Sequence, residues 1–162
     1  RSQVNLNELV RETLLLLKPV LAEKNVRVVS QLAESLPSLN AHGGSLQRVL
    51  INLLNNAVDS LTEERKITIA THRAQATEQQ RSGIIIEISD TGAGISADLL
   101  PKVFDFFMTT KNSGSGTGLG LAVCQEIVKE HGGKITIGSQ VDKGTSVRIF
   151  LPTDPAAGRS KG

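Results

Sequence analysis

The chain has 162 residues, enough for one domain with a sizeable core, and its 18 Lys and Arg against 16 Asp and Glu leave a formal charge of only +2. Four Phe with no Trp or Tyr give no aromatic platform for stacking single-stranded bases, and scattered cations make no footprint for duplex nucleic acid. One cysteine excludes a disulfide framework and any site of several thiolates; no apolar run approaches the ~20 residues of a membrane span, and no signal peptide is visible, so a cytoplasmic domain without membrane contact is expected.

Residues 5–24 place Leu6, Leu9, Val10, Leu14, Leu17 and Leu21 at helical spacing, with Asn5 or Asn7 as the N-cap and Pro19 expected to kink or divide the helix. Residues 26–32 have strand character, and 34–44 form a turn-rich link. A strongly apolar helix spans 45–61. Strands over 66–72 and 84–90, rich in Ile and Thr, are joined by the polar loop 73–83. A short helix is expected over 96–104. Another follows residue 118, closed by His131-Gly132-Gly133, with Cys124 on its apolar face as a core residue. Residues 134–138 and 146–151 alternate as a closing hairpin around Asp142-Lys143-Gly144. The Pro/Gly/Ala-rich stretch 153–162 reads as a disordered tail or linker, leaving 1–152 as the domain. Strands interrupted by helices, without strict alternation, predict an α+β fold with helices on one face of a mixed sheet.

Three features carry chemistry. Helix 45–61 sets Asn52, Asn55, Asn56 and Asp59 at i, i+3, i+4 and i+7, one above another on a single face. A solvent-facing stripe is one reading. The other is a Mg²⁺ site, because amide carbonyls and carboxylates are hard oxygen ligands and no Lys, Glu or Arg joins the face.

The second feature is Asp90-Thr91-Gly92-Ala93-Gly94 after a strand. It fits a dinucleotide fingerprint loosely, but the acidic residue required about 20 positions on falls in a Gly/Ser run. A strand-end carboxylate beside close-approaching glycines suits the exocyclic amine of adenine; a simple Asx turn is the alternative. The third is the run 114–121, Gly-Ser-Gly-Thr-Gly-Leu-Gly-Leu, just ahead of a helix. Backbone amides there can meet phosphate, although no Lys-Ser/Thr follows as a Walker motif requires.

Taken in order, Asn52-Leu-Leu-Asn-Asn56-Ala57, Asp90-Thr-Gly-Ala-Gly94, Phe104-Asp-Phe-Phe107 and Gly116-Thr-Gly-Leu-Gly120 resemble the N, G1, F and G2 boxes of the catalytic ATP-binding domain of sensor histidine kinases. The resemblance spans roughly 40–152, and Met108-Thr-Thr-Lys111 looks like the Thr-Thr-Lys segment of nitrogen- and oxygen-sensing members. It implies a two-layer α/β sandwich of the Bergerat type, with helices over a mixed, mostly antiparallel sheet. It also implies ATP and Mg²⁺: Asn56 as the metal ligand, Asp90 reading adenine with Gly92, Gly94 and Ile95 beside the base, and Thr145 supporting that pocket.

By the same resemblance Thr117, Gly118, Leu119 and Gly120 meet the phosphates, Lys111 neutralises their charge, and Asp59 is a weaker binding candidate. Hydrolytic relatives such as gyrase, Hsp90 and MutL carry glutamate where Asn52 stands. An amide cannot act as a general base, so transfer to a side chain is favoured, with Asn52 and Lys111 as the catalytic candidates.

The pattern is not followed throughout. Phe106 takes a usual proline position, Met108 a usual aromatic one and His42 a usual aspartate. A lid over 105–115, mobile without nucleotide and ordered by the γ-phosphate, is expected. His42, His72 and His131 lack the surroundings of a phosphoacceptor, so the acceptor histidine is expected outside this chain, on a preceding dimerisation domain, with a response-regulator receiver domain next in the relay. The alternatives are an ATP-binding regulatory module without transfer and an ATPase of the gyrase–Hsp90 type.

Overall fold

The structure, a computed structural model, describes residues 1–104 and 120–153. The expected lid and tail lie outside them. The described elements run β1 (Ser2–Val4), α1 (Leu6–Glu23), β2 (Arg27–Gln31), β3 (Leu39–Ala41), α2 (Gly43–Ser60), β4 (Lys66–Ala74), β5 (Gly83–Asp90), a 3-10 turn (Leu100–Lys102), α3 (Gly120–Glu130), β6 (Lys134–Gln140) and β7 (Gly144–Pro152). Five strands make one sheet in the order β2-β4-β5-β7-β6. The β2–β4 pair is parallel, joined by a crossover through α2, and the other pairs are antiparallel. The expected mixed, mostly antiparallel sheet is therefore present.

Alternation along the strands turns one face inward. Ile67 and Ile69 of β4, Ile84, Ile86 and Ile88 of β5, Ile149 and Leu151 of β7 and Ile135 of β6 are all buried. They pack against Leu6, Leu9 and Val10 of α1, the apolar face of α2, and Cys124, Ile127 and Val128 of α3 in one cluster, with α2 between the other two helices. Across the sheet His72 and Arg148 stay exposed around Glu87, whose carboxylate accepts from Arg148 Nη1 at 3.2 Å. This is the two-layer arrangement that a one-sided apolar sheet requires.

Asn5 is the N-cap of α1, accepting from the Glu8 amide at 3.0 Å. Asn7 instead turns inward. Its amide donates to the Ala33 carbonyl at 2.7 Å and accepts from the Thr71 hydroxyl at 2.9 Å, while that hydroxyl accepts the Ala33 amide at 2.9 Å. This closed ring ties α1 to the chain after β2 and to β4. Pro19 does not divide α1, which runs unbroken to Glu23. The carbonyl its missing N–H leaves unpaired belongs to Leu15, which is 69% exposed and can be served by water.

Two differences from the expected elements have simple causes. β1 and β3 pair antiparallel through three residues each, too few for alternation to register. The helix expected over 96–104 is only a turn: the Leu99 and Leu100 amides both reach the Ser96 carbonyl before the 3-10 segment. Pro101 has no N–H to offer the Ala97 carbonyl, the loss that α1 absorbs at Pro19, and here the regular segment ends at Lys102. His131 is buried at the end of α3. Its Nδ1 contacts the Ile127 carbonyl at 2.8 Å and its Nε2 accepts the His42 amide at 3.1 Å, which fixes the neutral tautomer and joins α3 to the start of α2.

The Asn7 ring is a full set of buried hydrogen bonds, so Asn7→Ala strands the Ala33 carbonyl and removes the acceptor of the Thr71 hydroxyl. The expected loss is about 1–3 kcal/mol, read as a lower denaturant midpoint with unchanged slope.

Candidate functional site

The inward face of the sheet is apolar until its last row. β5 presents Ile84, Ile86, Ile88 and then Asp90 on that face, and β6 presents Ile135, Ile137 and then Ser139. Register places Asp90 opposite Thr145 of β7, and Thr145 opposite Ser139. Three polar side chains thus stand in a line across three strands, where the neighbouring row is Ile88, Val147 and Ile137. The Ser139 and Thr145 hydroxyls are 2.8 Å apart, Ser139 Oγ donates to the Gly144 carbonyl at 3.0 Å, and the Ile95 amide donates to Ser139 Oγ at 2.7 Å.

Residues 91–95 cross this row in close contact with three neighbours. The Ala93 amide donates to the Ser60 carbonyl at 2.9 Å, and the Ala93 carbonyl accepts the Asp142 amide at 2.7 Å. Thr91 Oγ1 donates to the Glu64 carbonyl at 2.6 Å and accepts the Lys66 amide at 3.1 Å. A Cβ at Gly92 would collide with the Ser60 carbonyl and hydroxyl oxygens, and one at Gly144 with the Asp90 carbonyl. Gly94, at φ +81, lies against the Gln140 carbonyl; both its sterics and its left-handed backbone require glycine.

Asp90 Oδ1 accepts the Gly92 amide at 2.8 Å, so the Asx turn is real, and the carboxylate faces inward as well. Burial pushes its pKa above the usual carboxylate range, against the Gly92 amide, the Ser60 hydroxyl and the Thr145 amide, which favour the ionised form. A buried acceptor of this kind fits a ligand that brings a donor, such as an exocyclic amine.

Ser60 closes the last turn of α2, its hydroxyl lying 3.0 Å from the Ala57 carbonyl. Counting back by four reaches Asn56 and Asn52 on the same face. Both are half-buried, whereas Asn55 and Asp59 are exposed, so the predicted stripe divides into an inner and an outer row. Asn52 Nδ2 contacts Cys124 Sγ of α3 at 3.8 Å, and that sulfur lies 3.9 Å from the Val49 carbonyl. Burial pushes the Cys124 thiol up to about 11, which keeps it a protonated core group.

The structure therefore sets Asn52 and Asn56 on the row of α2 that ends at Ser60, and Asp90, Gly92, Gly94, Ile95 and Thr145 around the strand ends that Ser60 meets. Gly120 opens α3, with no atom of the described residues within 4 Å of where its Cβ would be. Lys111, Thr117, Gly118 and Leu119 lie outside the described residues, as do Phe106 and Met108. Ser60 and Ser139 were not foreseen. Ser60 is the next step of the Asn52–Asn56 spacing, and Ser139 the next of the Ile135–Ile137 alternation; each reads in sequence as an ordinary element end. No described residues form a group of three or more His, Cys, Asp or Glu able to hold a metal; the hard oxygen donors on the inner row of α2 are the amides of Asn52 and Asn56. His42 and His72 are exposed and His131 is buried.

Likeness to known proteins places the chain in a class. Residues 42–155 match the family described as histidine kinase-, DNA gyrase B- and HSP90-like ATPase, and the chain belongs to that family. Within it the likeness is to histidine kinases. The chain is 40% identical over 153 residues to the signal transduction histidine-protein kinase AtoS of Escherichia coli K12, covering 94% of this chain and 24% of AtoS. It therefore spans about a quarter of that relative. The catalytic domain of the histidine kinase ThkA superposes with a TM-score of 0.78 at 29% identity, covering 94% of this chain and 95% of that one. ThkA has also been solved with the response regulator TrrA, at a TM-score of 0.77 and 27% identity over 94% of this chain and 41% of that one. Full-length ShkA in complex with AMPPNP gives 0.78 at 26% identity over 93% of this chain and 30% of that one.

The raised pKa of Asp90 has a stability consequence. The folded state binds its proton more tightly than the unfolded chain, so stability contributed by this group falls as pH rises from the unfolded value of 3.8 through the folded pKa. The midpoint of wild type relative to Asp90→Asn should rise as pH is lowered across that window, measured by thermal unfolding; a constant difference would contradict the buried-carboxylate reading.

Proposed function

We propose that residues 1–152 form the catalytic ATP-binding domain of a sensor histidine kinase. It donates the γ-phosphoryl group of Mg-ATP to a histidine on the dimerisation domain of the same protein, for relay to a response-regulator aspartate. The observation that carries this reading is the continuous wall in which the Asn52–Asn56–Ser60 row of α2 meets the Asp90–Thr145–Ser139 row of the sheet. A carboxylate for a base and an amide ligand for a metal occupy its two arms.

In this reading Asp90 accepts from the adenine amine, with Gly92, Gly94 and Ile95 alongside and Thr145 beside it. Asn56 holds Mg²⁺ through its amide oxygen, and Asp59 stands at the rim. Thr117, Gly118, Leu119 and Gly120 supply backbone amides to the phosphates, and Lys111 offsets their charge. Bound Mg-ATP supplies the phosphoryl group and part of its charge compensation. The chain contributes positioning and electrostatics, the usual protein share in phosphoryl transfer. Asn52 cannot take a proton from water, which supports transfer over hydrolysis. The AtoS, ThkA and ShkA likenesses support the same class, and the ThkA–TrrA complex supports a receiver domain as partner. No described helix is long and apolar enough to cross a membrane; the domain acts in the cytoplasm, and the parent protein is compatible with a membrane anchor elsewhere.

Mixing the chain with a separately produced dimerisation domain and γ-labelled ATP should place label on histidine. ATP binding without transfer would indicate a regulatory module instead, and release of free phosphate without an acceptor would indicate a hydrolase. Asn56→Ala should abolish the Mg²⁺-dependent part of ATP affinity, and Asp90→Asn should weaken ATP binding at least tenfold, about 1.4 kcal/mol; titration with a non-hydrolysable analogue reads both. Wild-type affinity in either variant would remove that residue from the site.

A further inference from the structure

We infer that Ser139 is a positioning residue that fixes which way the Thr145 hydroxyl directs its proton, and so sets the base pocket to prefer adenine over guanine. The inference rests on the ATP-binding reading above and concerns the same site.

Among the described residues Ser139 Oγ has three close polar neighbours: the Ile95 amide at 2.7 Å, the Gly144 carbonyl at 3.0 Å and Thr145 Oγ1 at 2.8 Å. A hydroxyl has one proton and two lone pairs. The Ile95 amide can only donate, and the Gly144 carbonyl can only accept. The Ser139 proton therefore goes to Gly144, one lone pair takes the Ile95 N–H, and the other is left to accept from Thr145. All three contacts are hydrogen bonds only in this arrangement. If Ser139 donated to Thr145 instead, its oxygen would face the Gly144 carbonyl with no proton between them.

Having given its proton to Ser139, Thr145 Oγ1 keeps only lone pairs. It stands directly opposite Asp90 in the β5–β7 register and on the same face, beside a carboxylate held by the Gly92 amide at 2.8 Å. Among the described residues the end of the sheet thus presents the Asp90 carboxylate and the Thr145 oxygen as acceptors in adjacent positions. Adenine carries an amine at the six position, with two protons to give. Guanine carries a carbonyl oxygen there, which these acceptors repel. Asp90 supplies the charge of this selection, and Ser139 keeps Thr145 from reversing its hydroxyl to welcome a guanine.

The test compares Mg²⁺-dependent binding of non-hydrolysable ATP and GTP analogues to the whole chain. Wild type should prefer ATP. Ser139→Ala frees the Thr145 hydroxyl to donate, and the ATP-over-GTP preference should fall about tenfold, the equivalent of one hydrogen bond. Ser139→Thr, which keeps a hydroxyl at the same atom, should restore it. If Ser139→Ala does not fold, Thr145→Val removes the acceptor from the other side and should lower the preference likewise. An unchanged ratio in the folded alanine variant, or in Thr145→Val where it is needed, overturns the inference, as does an equal loss for both nucleotides, which would mark a purely structural role through Ile95. A wild-type chain that binds no ATP sinks the functional reading and this inference together; a wild type that binds ATP while the ratio stays fixed in the variants sinks the inference alone.

Discussion

Helix and sheet meet at Ser60. Its carbonyl accepts the Ala93 amide, its hydroxyl helps hold Asp90, and Gly92 lies against both oxygens with no room for a side chain. Everything proposed for the site depends on this seating, because it sets the separation between the Asn52–Asn56 face of α2 and the Asp90–Thr145–Ser139 row of the sheet. The constraint is steric before it is polar. Backbone approaches backbone at Gly92, at Gly94 and again at Gly144, where the Asp90 carbonyl occupies the place of a Cβ. Such contacts are available only to glycine, and they leave residues 91–95 little freedom to move away from the helix.

The fold accepts an energetic cost here. A sheet that buries isoleucine in row after row would be more stable with another apolar row at its end. It ends instead on Asp90, Thr145 and Ser139, and burial raises the pKa of the Asp90 carboxyl above its ordinary value. Each side chain of that row nevertheless has a backbone or hydroxyl partner, which limits the penalty of burying it. A locally unfavourable set held in place by surrounding packing is the kind of arrangement expected where a protein binds something. The Asn7 ring shows the contrast: it is polar and more deeply buried, and it closes on itself.

Much of this was legible in the sequence because the signals were periodic. The α2 stripe, the inward isoleucines and the strand-end Asp90 all follow from spacing by four or by two. What spacing could not supply was direction. Asn7 and Asn5 were equivalent as caps until packing turned one inward, and Asn55 and Asp59 were indistinguishable from Asn52 and Asn56 until the helix was seated against α3. Pro19 and Pro101 show the same limit from the other side. Identical local chemistry left one helix whole and reduced another to a turn, because α1 had a packed length on both sides of its proline and segment 96–104 did not. Ser60 and Ser139 escaped notice since a lone serine at an element end carries no pattern; its role appears only when three segments converge.

That convergence bears on how the molecule assembles. The polar row takes one residue from each of three strands, and its counterpart on α2 enters the sheet through a parallel crossover. No hairpin or helix contains the site by itself: Ser139 and Thr145 share the β6–β7 hairpin, but the pairing that brings Asp90 to Thr145 joins segments far apart in sequence, a contact that is costly in loop closure. Competence to bind and completion of the fold are therefore one event, and a bound nucleotide would draw on the stability of the whole sheet rather than of a loop.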